Sequence, residues 1–436
     1  MPTLIAHPPS SPGREARDLR EARDLREARD VREARDLREA RDRRDVGDAR
    51  DPRAHRDAGS LRFRLTRLVV AGALALAGAL YGPRVLVGAD AEAWLDDDRA
   101  TEVALADAVA DDVHAHVTTD AFHTGSVRFD GEWAMGTHQM AALGLAQVVL
   151  AHPELADRYR PALREAAHVL ADPSTYAFGE AAWGAAPLDD LGADRGHAYL
   201  GYVALALGMA REVDPELPEA ALHDRLVEAL AQRLEASALG LVETYPGEVY
   251  PCDLASIAGA IGQHDRLTGG DHAALLARIA EVHRTHFVDA RSGYLAQSVD
   301  VATGAPRDAP RGSGTALAAY FWSFADRALS RELGAALLER GREDLLGFWA
   351  IREHAPGTEG RGDIDSGPVL FGVSVSATGF ALASARLADD RDAFAGLLRT
   401  ATLFGVPVAR GESTRFLSGG PLGNAILLAM MTARPS

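Results

Sequence analysis

Apolar residues recur at helical spacing over most of the chain, and they do so in two alternating styles. From about Ala91 to Ser436, segments rich in small residues and apolar on nearly all sides alternate with segments that mix charged and apolar residues at three- and four-residue spacing. The units recur every 45 to 60 residues, at 138–170, 197–235, 253–288, 313–346 and 366–404, and GNAILLAMM closes the chain. The first style is that of a helix buried all round. The second is that of a helix with one face in water. A ring of such pairs is an α/α toroid, and a count of about six predicts an all-α (α/α)6 barrel over residues 90–436. An α-solenoid of stacked pairs is the structural alternative, but the units diverge too far from one another for a regular array, which favours the closed ring. Glycine-rich links precede the inner helices at Gly192–Gly196, Gly312–Gly314 and Gly362–Gly367. Ligand groups are therefore expected in the loops at one mouth of the ring.

Two different patterns stand ahead of the toroid. Residues 1–60 form a charged low-complexity arm whose Arg14–Asp42 stretch repeats REARDL-like units every six residues. Each unit carries two Arg, one Glu and one Asp, so its charges cancel. A period of six drifts around a helix of 3.6 residues per turn, so Leu19, Leu25, Val31 and Leu37 make no lasting stripe. A charged helix or a disordered arm is the simplest reading; a partner-binding rod is the functional one. Residues 61–89 then run from Arg62, Arg64 and Arg67 into a 15-residue apolar stretch, Leu68 to Gly82, and on to Val87-Gly88-Ala89, a small-residue cleavage pattern. That order is a secretion signal or an uncleaved signal anchor. The positive flank places Arg62–Arg67 on the cytoplasmic side and the toroid outside. The expected location is membrane-anchored with an extracytoplasmic domain, or secreted if the segment is cleaved.

Composition narrows the chemistry. The chain has 436 residues, 47% of them apolar and only 6% aromatic, with a formal net charge of −17. All 46 basic residues are arginine, a sign of genomic base bias more than of selected anion binders. No dense basic stripe lies in the toroid region, so no nucleic-acid partner is expected. A single cysteine, Cys252, excludes an intrachain disulfide and a cysteine-rich metal site. There is no glycine-rich dinucleotide fingerprint, no phosphate loop ending in Lys and no HExxH helix. No cofactor and no metal is expected, and the partner is a small-molecule substrate.

Three stretches carry candidate chemistry. In Arg361-Gly362-Asp363-Ile364-Asp365-Ser366-Gly367-Pro368, two carboxylates lie two apart in a glycine-flanked turn. Asp365 or Ser366 as a cap of the next helix is the structural reading. As a pair, Asp363 and Asp365 can split their proton affinities and supply an acid at neutral pH, or hold a cation. In Glu243-Thr244-Tyr245-Pro246-Gly247-Glu248-Val249-Tyr250-Pro251-Cys252-Asp253, a polar aromatic loop leads into an inner helix. Tyr250 offers an orienting hydroxyl, Cys252 a weak acid and Asp253 a base, against a helix-capping Asp253 and a buried Cys252. His197 and His138 occupy equivalent places at the starts of successive inner helices. Asp130 beside Trp133, Glu243 and Trp322 complete the expected substrate contacts; Trp322 has core filling as its alternative.

Two of these motifs resemble the linalool dehydratase/isomerase-like proteins, which are α/α toroids. Gly196-His197-Ala198 is similar to that family's Gly-His-Leu inner-helix start, and Pro251-Cys252-Asp253-Leu254 to its Pro-Cys-Glu-Pro loop. Here Ala198 replaces Leu, and Asp253 replaces Glu. The resemblance implies cofactor-free removal of water from a small alcohol or terpenoid, or its isomerisation, with His197, Cys252 and nearby Tyr or Asp moving the proton. A glycan-active hydrolase or lyase on the same ring is the alternative, using two separated carboxylates drawn from Asp130, Glu243 or Asp365 in an aromatic-lined cleft. A membrane-tethered scaffold is the third, and it requires that these polar residues fail to converge.

Overall fold

The computed structural model describes residues 12–47, 52–193 and 196–434; the first residues of the arm and the Asp194-Arg195 step of one glycine-rich link lie outside them. The chain divides into two compact units, 1–79 and 80–436. In the first unit, the repeat region forms one helix, α1 (Pro12–Gly47). Val31 and Leu37 stand exposed on it. A second helix, α2 (Pro52–Leu86), continues into the second unit. From Phe63 it is long and apolar enough to cross a membrane by length and composition, with a mean hydropathy of 1.6, a test that a signal sequence also passes.

The second unit is a ring. Its outer helices are α3 (Arg99–His114), α5 (Ala156–Ala171), α7 (Ala220–Ala236), α9 (Ala273–Val282), α11 (Arg327–Ala335) and α13 (Arg391–Gly405). Its inner helices are α4 (Val127–Ala151), α6 (Leu200–Val213), α8 (Pro251–Thr268), α10 (Gly312–Trp322), α12 (Val375–Leu387) and α14 (Gly420–Met431). Each inner helix packs on the next, and α14 packs back on α4, which closes an (α/α)6 barrel. The closing pair is α14 with α3, from opposite ends of the unit.

Small residues set the ring's tightness. A β-carbon on Gly201 of α6 would collide with the Ser256 hydroxyl and stand 2.6 Å from the Ile257 backbone nitrogen on α8. Because the second obstacle is backbone, it has no rotamer to escape into. Gly201→Ala is expected to destabilise the domain by about 1–3 kcal/mol, read as a shift in denaturant midpoint at unchanged m-value; an unchanged midpoint would show that the α6–α8 contact is looser than described.

The inner helices run in parallel, so their N-termini gather at one mouth. Deeper in, Tyr320 donates to the Gln147 amide oxygen at 3.2 Å, and the Gln147 amide nitrogen donates to the Ala429 carbonyl at 2.9 Å. This buried network fills the ring below the mouth.

Two small sheets interrupt the helical order. Strands β1 (Arg342–Leu345), β2 (Phe348–Arg352), β3 (Val369–Leu370) and β4 (Val373–Ser374) form an antiparallel sheet in the order β1-β2-β4-β3. The expected helical unit over 313–346 therefore stops early: its π-helical extension ends at Arg340, and Leu346 and Gly347, both at positive φ, make the turn between β1 and β2. A second hairpin, β5 (Pro407–Arg410) with β6 (Ser413–Phe416), joins α13 to α14.

Candidate active site

Helical periodicity aims Arg128 and Glu132, one turn apart at the start of α4, to the same side. Tyr245, from the loop before α8, donates its hydroxyl to Glu132. Arg128 lies over the Tyr245 ring at 4.4 Å and reaches both Glu132 (3.8 Å) and Glu248 (3.7 Å). Tyr250 donates to that same Glu248 at 2.8 Å.

Next around the mouth, Asp253 sits in the first turn of α8. It is not the N-cap, a place Tyr250 takes without a side-chain bond. Its buried carboxylate accepts from Tyr202 and Thr244, both at 2.5 Å, and from the Cys252 thiol at 3.5 Å. Burial raises the Asp253 carboxyl despite these three donors. Burial and the neighbouring Asp253 push the Cys252 thiol well up, so it is held as the neutral thiol.

The Asp363–Pro368 stretch crosses the mouth from the α12 side. It caps no helix: Ser374 caps α12, with β3 and β4 intervening. Asp363 and Ser366 exchange hydrogen bonds, amide of Asp363 to hydroxyl at 2.9 Å and amide of Ser366 to carboxylate at 3.0 Å, and Arg311 pairs with Asp363. Arg311 also lies 3.9 Å from Glu353, which is fully buried and accepts from the Ser313 hydroxyl at 2.7 Å. Asp363 is thus tied down as a loop anchor. Asp365 is not: among the described residues no hydrogen bond holds its carboxyl, which reaches water at the edge of the mouth yet is crowded by protein, so that desolvation acts on it ahead of the neighbouring charges.

The electrostatics single out two acids. Burial raises Glu132 to about 7; Tyr245 and Arg128 pull the other way, while Asp365 and Asp253 add to burial. Burial raises Asp365 to about 6, with Asp363 and Asp253 adding to it and Arg311 and Arg128 opposing. Glu132, Asp253 and Asp365 therefore share one field at the mouth, and a proton is held there near neutral pH.

The structure brings Cys252, Asp253, Asp363, Asp365 and Tyr250 to this mouth and leaves the other expected residues elsewhere. His197 is buried at φ +59, with Nδ1 at 2.8 Å from the Tyr199 hydroxyl and Nε2 at 3.4 Å from Asp190. It packs on Trp183, and burial depresses its basicity. It reaches the mouth indirectly, through Tyr199, whose ring lies 5.9 Å from that of Tyr245, and through Trp183, which donates to the Thr244 carbonyl at 3.1 Å. His138 is buried on Val117, Nε2 to carbonyl 3.0 Å. Trp322 is no substrate contact: it ends α10, ten residues and roughly 15 Å of helix beyond Gly312, fully buried against His283. Glu243 closes a turn by accepting from the Gly247 amide at 2.7 Å. Asp130 accepts from Thr124 (amide 2.9 Å, hydroxyl 2.7 Å) and lines a separate cleft of about 400 Å³ beside Phe122 and His123. Trp133 packs edge-on against that Phe122.

Sequence reasoning missed Glu132, Arg128 and Tyr202. The signal was present: Asp130 and Glu132 are two apart on one helix, so only one of them faces inward, and the ion-pair spacing of Arg128 to Glu132 marks which. Among the described residues, His223, Asp224 and His264 alone have metal-ligand spacing, their ligand atoms within 4.8 Å of one another. The Arg211 guanidinium already supplies the positive charge there, 2.5 Å from Asp224 and 3.4 Å from His223 Nδ1.

No known protein family matches the chain, and no curated protein is similar to it in sequence. Solved structures are similar in fold. One is an inactive variant of the α-1,6-mannanase GH76A of Salegentibacter sp. HEL1_6 in complex with α-1,6-mannotriose, at TM-score 0.50 and 12% identity, covering 77% of this chain and 100% of the mannanase. Another is the unsaturated glucuronyl hydrolase of Streptococcus agalactiae, at TM-score 0.42 and 11% identity, covering 81% of this chain and 95% of that one. The first defines this chain as an α/α toroid. The Pro251–Leu254 and Gly196–Ala198 resemblance is to proteins of that same fold.

Proposed function

We propose that the chain is a glycan-active hydrolase of the α/α toroid type, with Glu132 as the general acid and Asp365 as the base. The carrying observation is the pair itself: two carboxyls from separate segments, raised to about 7 and about 6 in one shared field. Glu132 gives its proton to the glycosidic oxygen as the bond to the anomeric carbon breaks. Water adds to that carbon and loses its proton to Asp365. Tyr245 and Arg128 orient Glu132; Asp253, held by Tyr202 and Thr244, keeps the local field negative.

The lining favours this reading over a terpenoid alcohol. A mouth edged by Arg128, Glu132, Glu248, Asp363 and Asp365 offers hydroxyl-rich ligands many hydrogen-bond partners, and an apolar ten-carbon alcohol almost none. The mannanase's bound α-1,6-mannotriose makes α-mannosides the first class to assay. The test is release of new reducing ends from a panel of neutral and acidic oligosaccharides across pH. Activity is expected to peak between about pH 6 and 7, where Asp365 is ionised and Glu132 keeps its proton. Dehydration of linalool with no glycan cleavage would overturn the proposal.

A further inference from the structure

Exposed large apolar side chains are absent from the outer helices α5, α7, α9 and α11 among the described residues. Outside α1 and α2, all but Leu150 fall either around the mouth, at Val127, Leu370, Phe371 and Val375, or along one flank. The last turn of α2 exposes Val85 (73%) and Leu86 (80%). The Arg84 guanidinium lies over Gly347 in the β1–β2 turn, where a β-carbon would stand 2.7 Å from Nε. That turn exposes Leu345, and Arg399 of α13 donates to the Gly347 carbonyl at 3.1 Å. One helical turn beyond Arg399, α13 exposes Leu403 and Phe404 (62%). The strip ends at Val406 and Leu417, also exposed and joined by a backbone hydrogen bond of 3.2 Å.

We infer that this strip is a bilayer-contact face, seated at the boundary between lipid headgroups and acyl chains. Two independent observations select lipid over a protein partner. The strip begins in the last turn of α2, which among the described residues is the one helix of membrane-spanning length and composition, so a chain anchored by α2 brings the strip's first residues, Val85 and Leu86, to the bilayer boundary. Arg84 and Arg399 also converge on Gly347, close enough for their charges to oppose each other. A lipid phosphate beside them relieves that repulsion; Asp344 and Asp392 are the acids that act on Arg399. Apolar side chains flanking paired arginines are the composition of an interfacial surface. This inference stands independently of the glycan reading.

The full-length chain tests it in vesicles of phosphatidylcholine and phosphatidylglycerol. A Cys252→Ser background leaves one introduced thiol for a nitroxide label, placed by Phe404→Cys on the strip or by Glu228→Cys on the exposed face of α7. The expected result is a several-fold higher ratio of oxygen to nickel-chelate accessibility at position 404 than at 228, falling when Arg84 and Arg399 are both changed to Glu. Equal ratios at the two positions overturn it. So does failure of the chain to co-float with vesicles, or protection at 404 that persists in detergent and follows protein concentration, which marks a second copy as the occupant.

Discussion

Glu132→Gln is expected to reduce glycan turnover by roughly 10²- to 10⁴-fold, the usual contribution of a positioned general acid, while leaving the fold intact. The amide matches the protonated carboxyl in shape and keeps an acceptor for the Tyr245 hydroxyl. A carboxyl raised to about 7 by burial gains nothing for stability from ionising, so removing its charge leaves the melting midpoint unchanged or slightly higher. Asp365→Asn is expected to lose activity on the same scale, with the acid limb of the pH profile removed; Glu132→Gln removes the alkaline limb. Cys252→Ser separates this mechanism from one that uses the thiol. The thiol is buried, weakly acidic and bonded to Asp253, so the hydroxyl replacement is expected to keep activity within a few-fold. If Cys252→Ser were as damaging as Glu132→Gln, the assignment of Glu132 and Asp365 would fail. Equal loss of activity and stability in Asp365→Asn would sink its role as base.

The sequence made the ring legible because burial leaves a periodic trace. Inner helices such as α6 and α14 are apolar on every side, and no soluble environment other than a second layer of helices accommodates that. Closure was harder to read, since it depends on α3 meeting α14 across nearly the whole unit. The α3 stretch, with Asp107, Asp111 and Asp112 among alanines, lacks a strong stripe. The β1–β4 sheet escaped notice because its strands are two to five residues long and follow a helix without a proline break. At the mouth, sequence located the right loops but not always the right atoms. Asp363 and Asp365 look equivalent in sequence; only Arg311 and Ser366, which bind one and not the other, separate them. His197 was conspicuous as a polar residue at a helix start, yet its side chain turns away to Tyr199 and Asp190, a direction no spacing rule contains.

A second carboxylic acid, at the opposite end of the ring, gives the largest expected stability effect. Glu102, in the first turn of α3, is fully buried, with one carboxyl oxygen unpartnered and the other 3.1 Å from His152 Nε2. Burial and the nearby Asp97 carboxylate raise it to about 8, although Arg386 and Arg434 oppose them. Both arginines are engaged by Asp97, which Arg386 and Arg434 bind directly. Their positive charge is thus largely answered before it reaches Glu102. The sign follows from linkage. The folded chain holds the Glu102 proton up to about pH 8, while the unfolded chain releases it near the ordinary glutamate value of 4.5. Between those values the native state binds the extra proton, so stability falls as pH rises and the contribution is lost above about 8. Glu102→Gln keeps the shape of the protonated acid and an N–H for His152, and it carries no proton to lose. The variant is expected to match the parent near pH 5 and to exceed it by about 2 kcal/mol or more at pH 9, measured by denaturant unfolding at both values. A difference that stays constant with pH would mean that Glu102 is already ionised in the folded protein.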